Sequence, residues 1–234
     1  FHVFLNCRHS LDALQQVEKE ILDEHGSCTL LPGNAGNPDD VRKMFAIIES
    51  ICPGLDVLVN NAGLALGLDK EFEGDIDEWS TMIDTNIKGL LTMTRLVVPH
   101  MVERNHGHVI NIGSVAGDQA YAGGNVYCAT KAAVKALSDG LRIDLVDTCV
   151  RVTNVKPGLV ETNFSVTRFR GDKSKADSVY AGIHPLNGDD IADVVLYAAN
   201  APEHVQIAEV LVLATHQANG YTFSKDTSRV EHLS

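Results

Sequence analysis

Strand-like and helix-like segments alternate along most of the chain, and this alternation limits the fold more than any other feature. The apolar run at residues 55–60 (LDVLVN) carries one charge near its start, as expected of a parallel strand covered on both faces. Strands that alternate with helices predict an α/β fold: a doubly wound (Rossmann-like), mostly parallel sheet with crossover helices on both faces. With 234 residues, the chain is long enough for one such domain and too short for two.

The hydrophobic pattern places the individual elements. Strands are predicted at residues 2–6, 27–31, 55–60, 108–113, 150–155 and 209–214. Helices are predicted at residues 9–25, 39–50, 77–104, 125–147 and 189–199. A long polar insertion at residues 158–187 interrupts this pattern, and its length is typical of a functional lid or a disordered loop. We predict a single domain over residues 1–234, with this insertion as a substrate loop and a polar tail at its end.

Composition and charge exclude several partners. The net charge of -12, with no basic stripe to balance it, argues against nucleic acid. No apolar stretch reaches the roughly 18 residues needed to span a membrane. The five cysteines are scattered and form no CxxC pair, which predicts unpaired thiols in a reducing compartment, the cytoplasm.

Only His106 and His108 approach a metal-ligand spacing. They flank the start of an apolar run, and no Cys or carboxylate stands nearby to complete a site. We therefore predict a solvated strand entry and no metal.

The residues that follow each predicted strand carry the candidate chemistry, because ligands of such sheets bind at the carboxyl ends of the strands. The NNAG sequence at 60–63 suits a turn that lets a cofactor approach, although alone it equally fits a simple Asn-Gly turn. Ser114 places a hydroxyl at the tip of the next strand. Tyr127 and Lys131 share one face of the following helix, a spacing that alone also fits a half-exposed helix. The sequence PGLVET follows at 157–162.

Together and in this order, the NNAG, Ser, YxxxK and PGxVxT elements resemble the short-chain dehydrogenase/reductase family across about residues 1–215. The segments NNAGLALGL, DTNIKGL, RNHGHVINIGS, YAGGNVYCATK and PGLVETNFSVTRFRGD are similar to its NADP-dependent 3-hydroxy acid (serine-type) dehydrogenases. The resemblance implies an oxidoreductase that moves hydride between NADP and the hydroxyl or carbonyl of a small 3-hydroxy acid. A reductase for other carbonyls, or a cofactor-poor homologue with a structural role, are the alternatives.

The resemblance also implies four catalytic residues. Tyr127 would exchange a proton with the substrate oxygen, which requires its pKa to fall by ~3 units, about 4 kcal/mol, near neutrality. Lys131 and the nicotinamide ring both favour the phenolate. Ser114 would hydrogen-bond the reacting oxygen, and Asn86 would hold a water that links Lys131 to solvent.

The cofactor is predicted to be NADP. The strand exit at residues 6–9 carries no acid to bind a ribose hydroxyl, whereas Arg8 suits a 2′-phosphate, its alternative being a solvated helix-start arginine. Asn34 stands where the family usually places an adenine-contacting Asp. The predicted cofactor-binding residues are Arg8, Asn34, Asn60, Ala62, Gly63, Tyr127, Lys131, Pro157, Gly158, Val160 and Thr162.

For the substrate, Arg168 is the candidate partner of a carboxylate, with the hydroxyl presented to Tyr127 and Ser114. The alternative is a surface charge. We also expect a homodimer or homotetramer, because the helices predicted at 77–104 and 125–147 have apolar residues on more than one side.

The family's first strand and its TGxxxGxG turn are absent from this sequence, which begins at Phe1 inside a strand-like run. We expect upstream residues to supply them. In the family this strand lies between those predicted here at 2–6 and 55–60, so both should show unpaired backbone groups.

Overall fold

The computed structural model describes residues 1–225 as a succession of parallel strands and helices. The strands are β1 (His2–Cys7), β2 (Ser27–Pro32), β3 (Val57–Asn60), β4 (Gly107–Ile112), β5 (Val150–Pro157) and β6 (Glu209–Val212). The helices are α1 (Leu11–Asp23), α2 (Pro38–Ile51), α3 (Ile76–Ile83), α4 (Leu90–Glu103), α5 (Asn125–Asp144), α6 (Asn163–Arg168), α7 (Lys173–Tyr180) and α8 (Gly188–Ala199). Within this described range, no helix combines the length and apolar character needed to cross a membrane. The end of the predicted polar tail, residues 226–234, lies outside it.

The strands form two parallel sheets. β1 pairs with β2, and β3, β4, β5 and β6 pair in that order. Over residues 1–225, no backbone ladder joins β1 to β3, as expected for two strands that flank the family's first strand. Val3 of β1 and Val59 of β3 are partly exposed.

The four-stranded sheet is covered on both faces, which is why its strands are apolar at successive positions. Val109 and Val152 pack with Met101 against α4 and α5. Ile110 and Val155, one and three positions further along their strands, point the other way and pack against α8. Burial of each of these side chains contributes about 1.5–3 kcal/mol.

Helix α2 connects the two-stranded sheet to the rest of the core. Asn37 caps its first turn by accepting hydrogen bonds from backbone N–H groups, and Pro38 occupies the first helical position. From the buried face of this helix, Met44 packs against Leu31 of β2 and next to Leu96 of α4. The two sheets are therefore joined by side-chain packing.

The helix predicted at 77–104 is interrupted by a π-helical turn, Asp84–Gly89, between α3 and α4. Asn86 lies inside this turn and accepts a hydrogen bond from the backbone N–H of Leu64. A side chain at Gly89 would collide with the backbone of the loop after β2, so the wide turn also packs closely there. Such turns are frequent at functional sites.

The insertion at residues 158–187 is ordered, so the alternative of a disordered loop is wrong. It contains α6 and α7, and Val160 pairs with Leu186 in a short parallel bridge. The Tyr180 hydroxyl lies 2.6 Å from Ser165 Oγ and donates to the Val160 carbonyl, which holds α7 against the start of the insertion.

The prediction of a solvated strand entry is wrong for His108, which is 2% exposed. Its Nε2 lies 2.7 Å from Thr153 Oγ1 on β5. Burial, aided by the charge of Arg151, lowers the pKa of His108 to about 4. His108 is buried because β4 is an interior strand, whereas His106 remains half-exposed. Among residues 1–225, no group of three or more His, Cys, Asp or Glu side chains could hold a metal ion.

A row of amide side chains crosses the four-stranded sheet. Asn60, Asn111 and Asn154 are paired in register on β3, β4 and β5, so their side chains share the α4–α5 face. Asn60 Nδ2 donates to Asn111 Oδ1 at 2.9 Å, and Asn111 Nδ2 donates to Ser138 Oγ on α5 at the same distance.

Candidate active site

The four predicted catalytic residues come together where β4 ends. Ser114 lies two residues after the end of this strand, and Tyr127 and Lys131 lie one turn apart on α5. Asn86 reaches the same region from the π-helical turn. Each of the four is at most 9% exposed, so water is largely excluded from the cluster. In such surroundings, charges and hydrogen bonds act more strongly than in water.

Lys131 is held by the backbone of β4. Its Nζ donates to the Ile112 carbonyl at 2.8 Å and lies 5.9 Å from the centre of the Tyr127 ring. Burial lowers the pKa of Lys131 to about 8. A Cβ placed on Gly63 would lie 3.4 Å from Nζ, so the NNAG turn passes directly beside the lysine.

Asn86 connects the NNAG turn to α5. Its Nδ2 donates to the Leu64 carbonyl at 2.8 Å and to Thr130 Oγ1 at 3.0 Å, while its Oδ1 accepts from the Leu64 N–H. Thr130 Oγ1 donates in turn to the carbonyl of Tyr127. The amide therefore fixes the position of α5. Its expected role in holding a water toward Lys131 stays a prediction.

Tyr127 differs from the expectation of a lowered pKa. Burial is the largest influence and raises the pKa of the phenol, while a hydrogen bond with Ser114 and the charge of Arg168 act in the opposite direction. The chain's own groups do not supply the downward shift expected from Lys131, because the dry surroundings penalise the phenolate more than nearby cations favour it.

The insertion brings Arg168 to this cluster. Its guanidinium lies 5.5 Å from the ring centre of Tyr127 and 5.2 Å from that of Tyr121, and Nη2 donates to the Tyr121 hydroxyl at 2.7 Å. Within residues 1–225, Arg168 has no carboxylate partner. A free cation beside a buried phenol is suited to an anionic group on a ligand. Tyr121 was missed in the sequence, although it belongs to the same YAGGNVY segment as Tyr127.

Apart from Tyr127 and Lys131 on α5, the predicted cofactor-binding residues lie at or just beyond the carboxyl ends of β1, β2, β3 and β5. Arg8 is exposed after β1 and makes no ion pair within the described part of the chain. Ala62 and Gly63 are exposed in the turn after β3. Asn34 Oδ1 accepts from the Gly36 N–H in the loop after β2. The Asn60 side chain is instead engaged inside the sheet, so only its backbone is available to a ligand.

The donor types at this edge, with the close turn at Gly63, fit a phosphorylated dinucleotide. The sequence profile of the short-chain dehydrogenase family matches residues 1–173. The chain belongs to the short-chain dehydrogenase family. A Schizosaccharomyces pombe relative called NADP-dependent 3-hydroxy acid dehydrogenase is 44% identical over 207 residues, which cover 87% of this chain and 79% of the relative.

An Escherichia coli (strain K12) protein with the same description is 45% identical over 208 residues, covering 88% of this short-chain dehydrogenase and 83% of the relative. Among solved structures, the closed form of a serine dehydrogenase complexed with NADP+ superposes with a TM-score of 0.85 at 43% identity. That match covers 93% of this chain and 86% of the other. The doubly wound α/β fold predicted from the sequence is thereby confirmed.

In this short-chain dehydrogenase, a residue far along the chain supports the segment after β5. Pro157 is buried at the end of the strand, and the Gly158 N–H donates to the Val212 carbonyl. The buried Gln217 accepts from the Leu159 N–H at 2.8 Å. Thr162 caps α6 through Oγ1. Gln217 was missed, because its contact depends on a turn that follows β6.

Proposed function

We propose that this chain is an NADP-dependent oxidoreductase that transfers hydride between NADP and the hydroxyl or carbonyl carbon of a small 3-hydroxy acid. The observation that carries the proposal is the buried cluster of Ser114, Tyr127 and Lys131 at one strand exit, with the unpaired guanidinium of Arg168 beside the phenol. The names of the relatives from S. pombe and E. coli support the same reaction.

Proton transfer belongs to the buried cluster. The Tyr127 hydroxyl gives a proton to, or takes it from, the substrate oxygen, and the Ser114 hydroxyl hydrogen-bonds that oxygen. Lys131, with its pKa lowered to about 8, carries an ammonium at neutral pH that favours the phenolate. Bound NADP supplies the hydride donor or acceptor and, when oxidised, a positive ring that favours the phenolate further. Asn86 keeps the NNAG turn and α5 in contact.

Cofactor binding belongs to the carboxyl edge of the sheets. Arg8 would hold the 2′-phosphate, and the loop at Asn34 would meet the adenine. The turn at Asn60, Ala62 and Gly63 would follow the cofactor past Lys131.

The segment after β5 would complete the site, with Pro157, Gly158, Val160 and Thr162 at the nicotinamide carboxamide.

Replacement of Arg8 by Ala should reduce the preference for NADP over NAD, measured as a ratio of kcat/KM values, because the guanidinium no longer binds the phosphate. An unchanged ratio would remove Arg8 from the site.

Arg168 would bind the carboxylate of the substrate while Tyr127 and Ser114 meet its hydroxyl. In an Arg168→Ala variant, we expect KM for 3-hydroxy acids to rise on the order of 30-fold, as for the loss of a charged hydrogen bond, with a much smaller change for uncharged alcohols. Steady-state NADPH formation across a panel of both classes measures this. Equal changes for both classes would show that Arg168 does not bind the substrate.

The chain's wider organisation is part of the proposal. We infer a single domain over residues 1–234, with residues 158–187 as the substrate loop.

Exposed apolar side chains on or just after α4 and α5, among them Leu91, Val102, Ile143 and Val146, support a homodimer or homotetramer. The five free cysteines support a reducing compartment such as the cytoplasm. A titration that detected no NADPH binding would instead favour a structural role.

A further inference from the structure

Two arginines of the insertion, Arg168 and Arg170, have opposite surroundings. Arg168 turns inward toward Tyr121 and Tyr127 and has no carboxylate partner in the described range. Arg170 turns outward and binds two carboxylates at once. Only Arg170 pairs with Asp69 and Glu78, although these two acids and Arg168 line the same cavity.

Arg170 fully engages these acids. Its Nε and Nη2 donate to the two carboxylate oxygens of Glu78 at 2.6 and 2.8 Å, and Nη2 also donates to Asp69 Oδ2 at 3.0 Å. A positive φ at Arg170 and at Gly171 reverses the chain after α6 and directs this side chain back toward α3. The planar guanidinium suits such two-pronged binding, whereas an ammonium would act as a point charge.

The same two acids border the pocket that contains Arg168. Asp69, Glu78 and Arg168 all line a cavity that reaches Tyr127, together with Trp79. A third acid on its wall, Asp75, is engaged as the N-cap of α3 by accepting from backbone N–H groups. Gly67 lies between the two arginines: its N–H donates to the Arg168 carbonyl at 2.9 Å, and a Cβ placed on it would lie 3.0 Å from Arg170 Nη2. Without Arg170, two negative charges would therefore border the pocket unpaired.

We propose that Arg170 is a specificity-determining residue: by occupying Asp69 and Glu78, it leaves Arg168 free to bind an anionic substrate. This inference rests on the proposed function. It explains how a substrate that carries a carboxylate can bind in a pocket whose lining also contains the carboxylates of Asp69 and Glu78. Two unpaired acids would compete for Arg168 and repel the substrate carboxylate. Because the Arg170 cluster is partly exposed, the effect should weaken as salt is added.

The test measures binding of a carboxylate directly. Trp79 is the chain's one tryptophan and lines this pocket, so its fluorescence reports on ligands there. We expect propionate, titrated in the presence of NADP+, to bind Arg170→Gln on the order of tenfold more weakly than the unaltered protein at low salt. The triple variant Arg170→Gln, Asp69→Asn, Glu78→Gln should regain affinity to within about twofold, because the competing charges are gone.

A matched control lies in the same insertion. Lys175 forms an ion pair with Asp172 and touches neither Asp69 nor Glu78. Lys175→Gln should therefore leave propionate affinity unchanged. If Arg170→Gln binds propionate as well as the unaltered protein, the proposal is overturned.

If the triple variant stays as weak as Arg170→Gln, Arg170 acts by holding the insertion in place, and the charge explanation is also overturned. Absence of propionate binding in the unaltered protein would refute this inference, while NADP-dependent oxidation of alcohols would still stand as support for the dehydrogenase. Conversely, propionate binding without any turnover would count against the proposed function alone.

Discussion

The catalytic cluster and the insertion meet at Tyr127 but are held in different ways. Lys131 and Asn86 are buried and bonded to backbone atoms of Ile112 and Leu64. The part of the insertion around Arg170 is held instead by side-chain ion pairs with Asp69 and Glu78 that are partly exposed. Backbone partners leave little room for adjustment, whereas exposed ion pairs are weak and screened by salt. We therefore expect changes in the cluster to abolish turnover and changes in the insertion to alter which substrate is preferred.

The largest effect should follow from Tyr127→Phe. Removal of the hydroxyl eliminates the proton donor while the ring still fills its buried position, so kcat should fall by about 10³-fold or more with little loss of stability. Steady-state kinetics and thermal unfolding of the same preparation measure the two quantities. Retention of most of the activity would contradict the assignment and, with it, the contrast between cluster and insertion.

The second effect concerns stability and pH. The pKa of Lys131 is lowered from 10.5 to about 8 by burial, so the folded state disfavours the ammonium. Folded and unfolded states are equally uncharged at this site above pH 10.5, and the penalty grows to about 3 kcal/mol as the pH falls to 8. Lys131→Met should therefore gain about 3 kcal/mol of unfolding free energy relative to the unaltered protein on going from pH 10.5 to pH 7.5.

Denaturant unfolding of both proteins at the two pH values gives this difference, and the variant should also be inactive. Lys135→Met is the matched control, because Lys135 lies one turn further along α5 with its side chain partly exposed. A pH-independent difference for Lys131→Met would mean that the folded protein tolerates the buried ammonium without cost.

The smallest effect should come from Tyr121→Phe at the edge of the insertion. The variant keeps the ring against Arg168 but loses the hydroxyl that accepts from Nη2, so Arg168 is held less firmly. We expect KM for 3-hydroxy acids to rise about fivefold with kcat nearly unchanged. Tyr197→Phe, on the exposed side of α8, provides a control. A fall in kcat at constant KM would place Tyr121 in the chemical step.

Features of the structure that depend on residues close together in the sequence could be predicted, whereas features that depend on distant residues could not. Strands and helices follow from the spacing of apolar residues along a short segment, and the sheet topology then brings Ser114, Tyr127 and Lys131 together. The π-helical turn escaped prediction because Asn86 is drawn inward by Leu64, 22 residues away.

The same reason explains the other errors. His108 is buried because β4 lies between β3 and β5, and its hydrogen-bond partner Thr153 is 45 residues away along the chain. Arg170 and Asp69 form an ion pair although 101 residues separate them, so no local sequence pattern predicts the contact. The direction of the Tyr127 pKa shift depends on how completely the folded chain excludes water from the phenol, which a sequence motif does not predict.

The amide row of Asn60, Asn111 and Asn154 has a consequence for how this protein can vary. Deletion of one residue from β4 would shift Ser114 by about 3.3 Å along the strand direction. It would also turn Asn111 to the apolar face of the sheet, which packs against α8. Length changes inside the strands should therefore disrupt the site, as should changes in the NNAG turn that Asn86 holds against α5. New substrate preferences should arise by remodelling residues 158–187 on an unaltered frame.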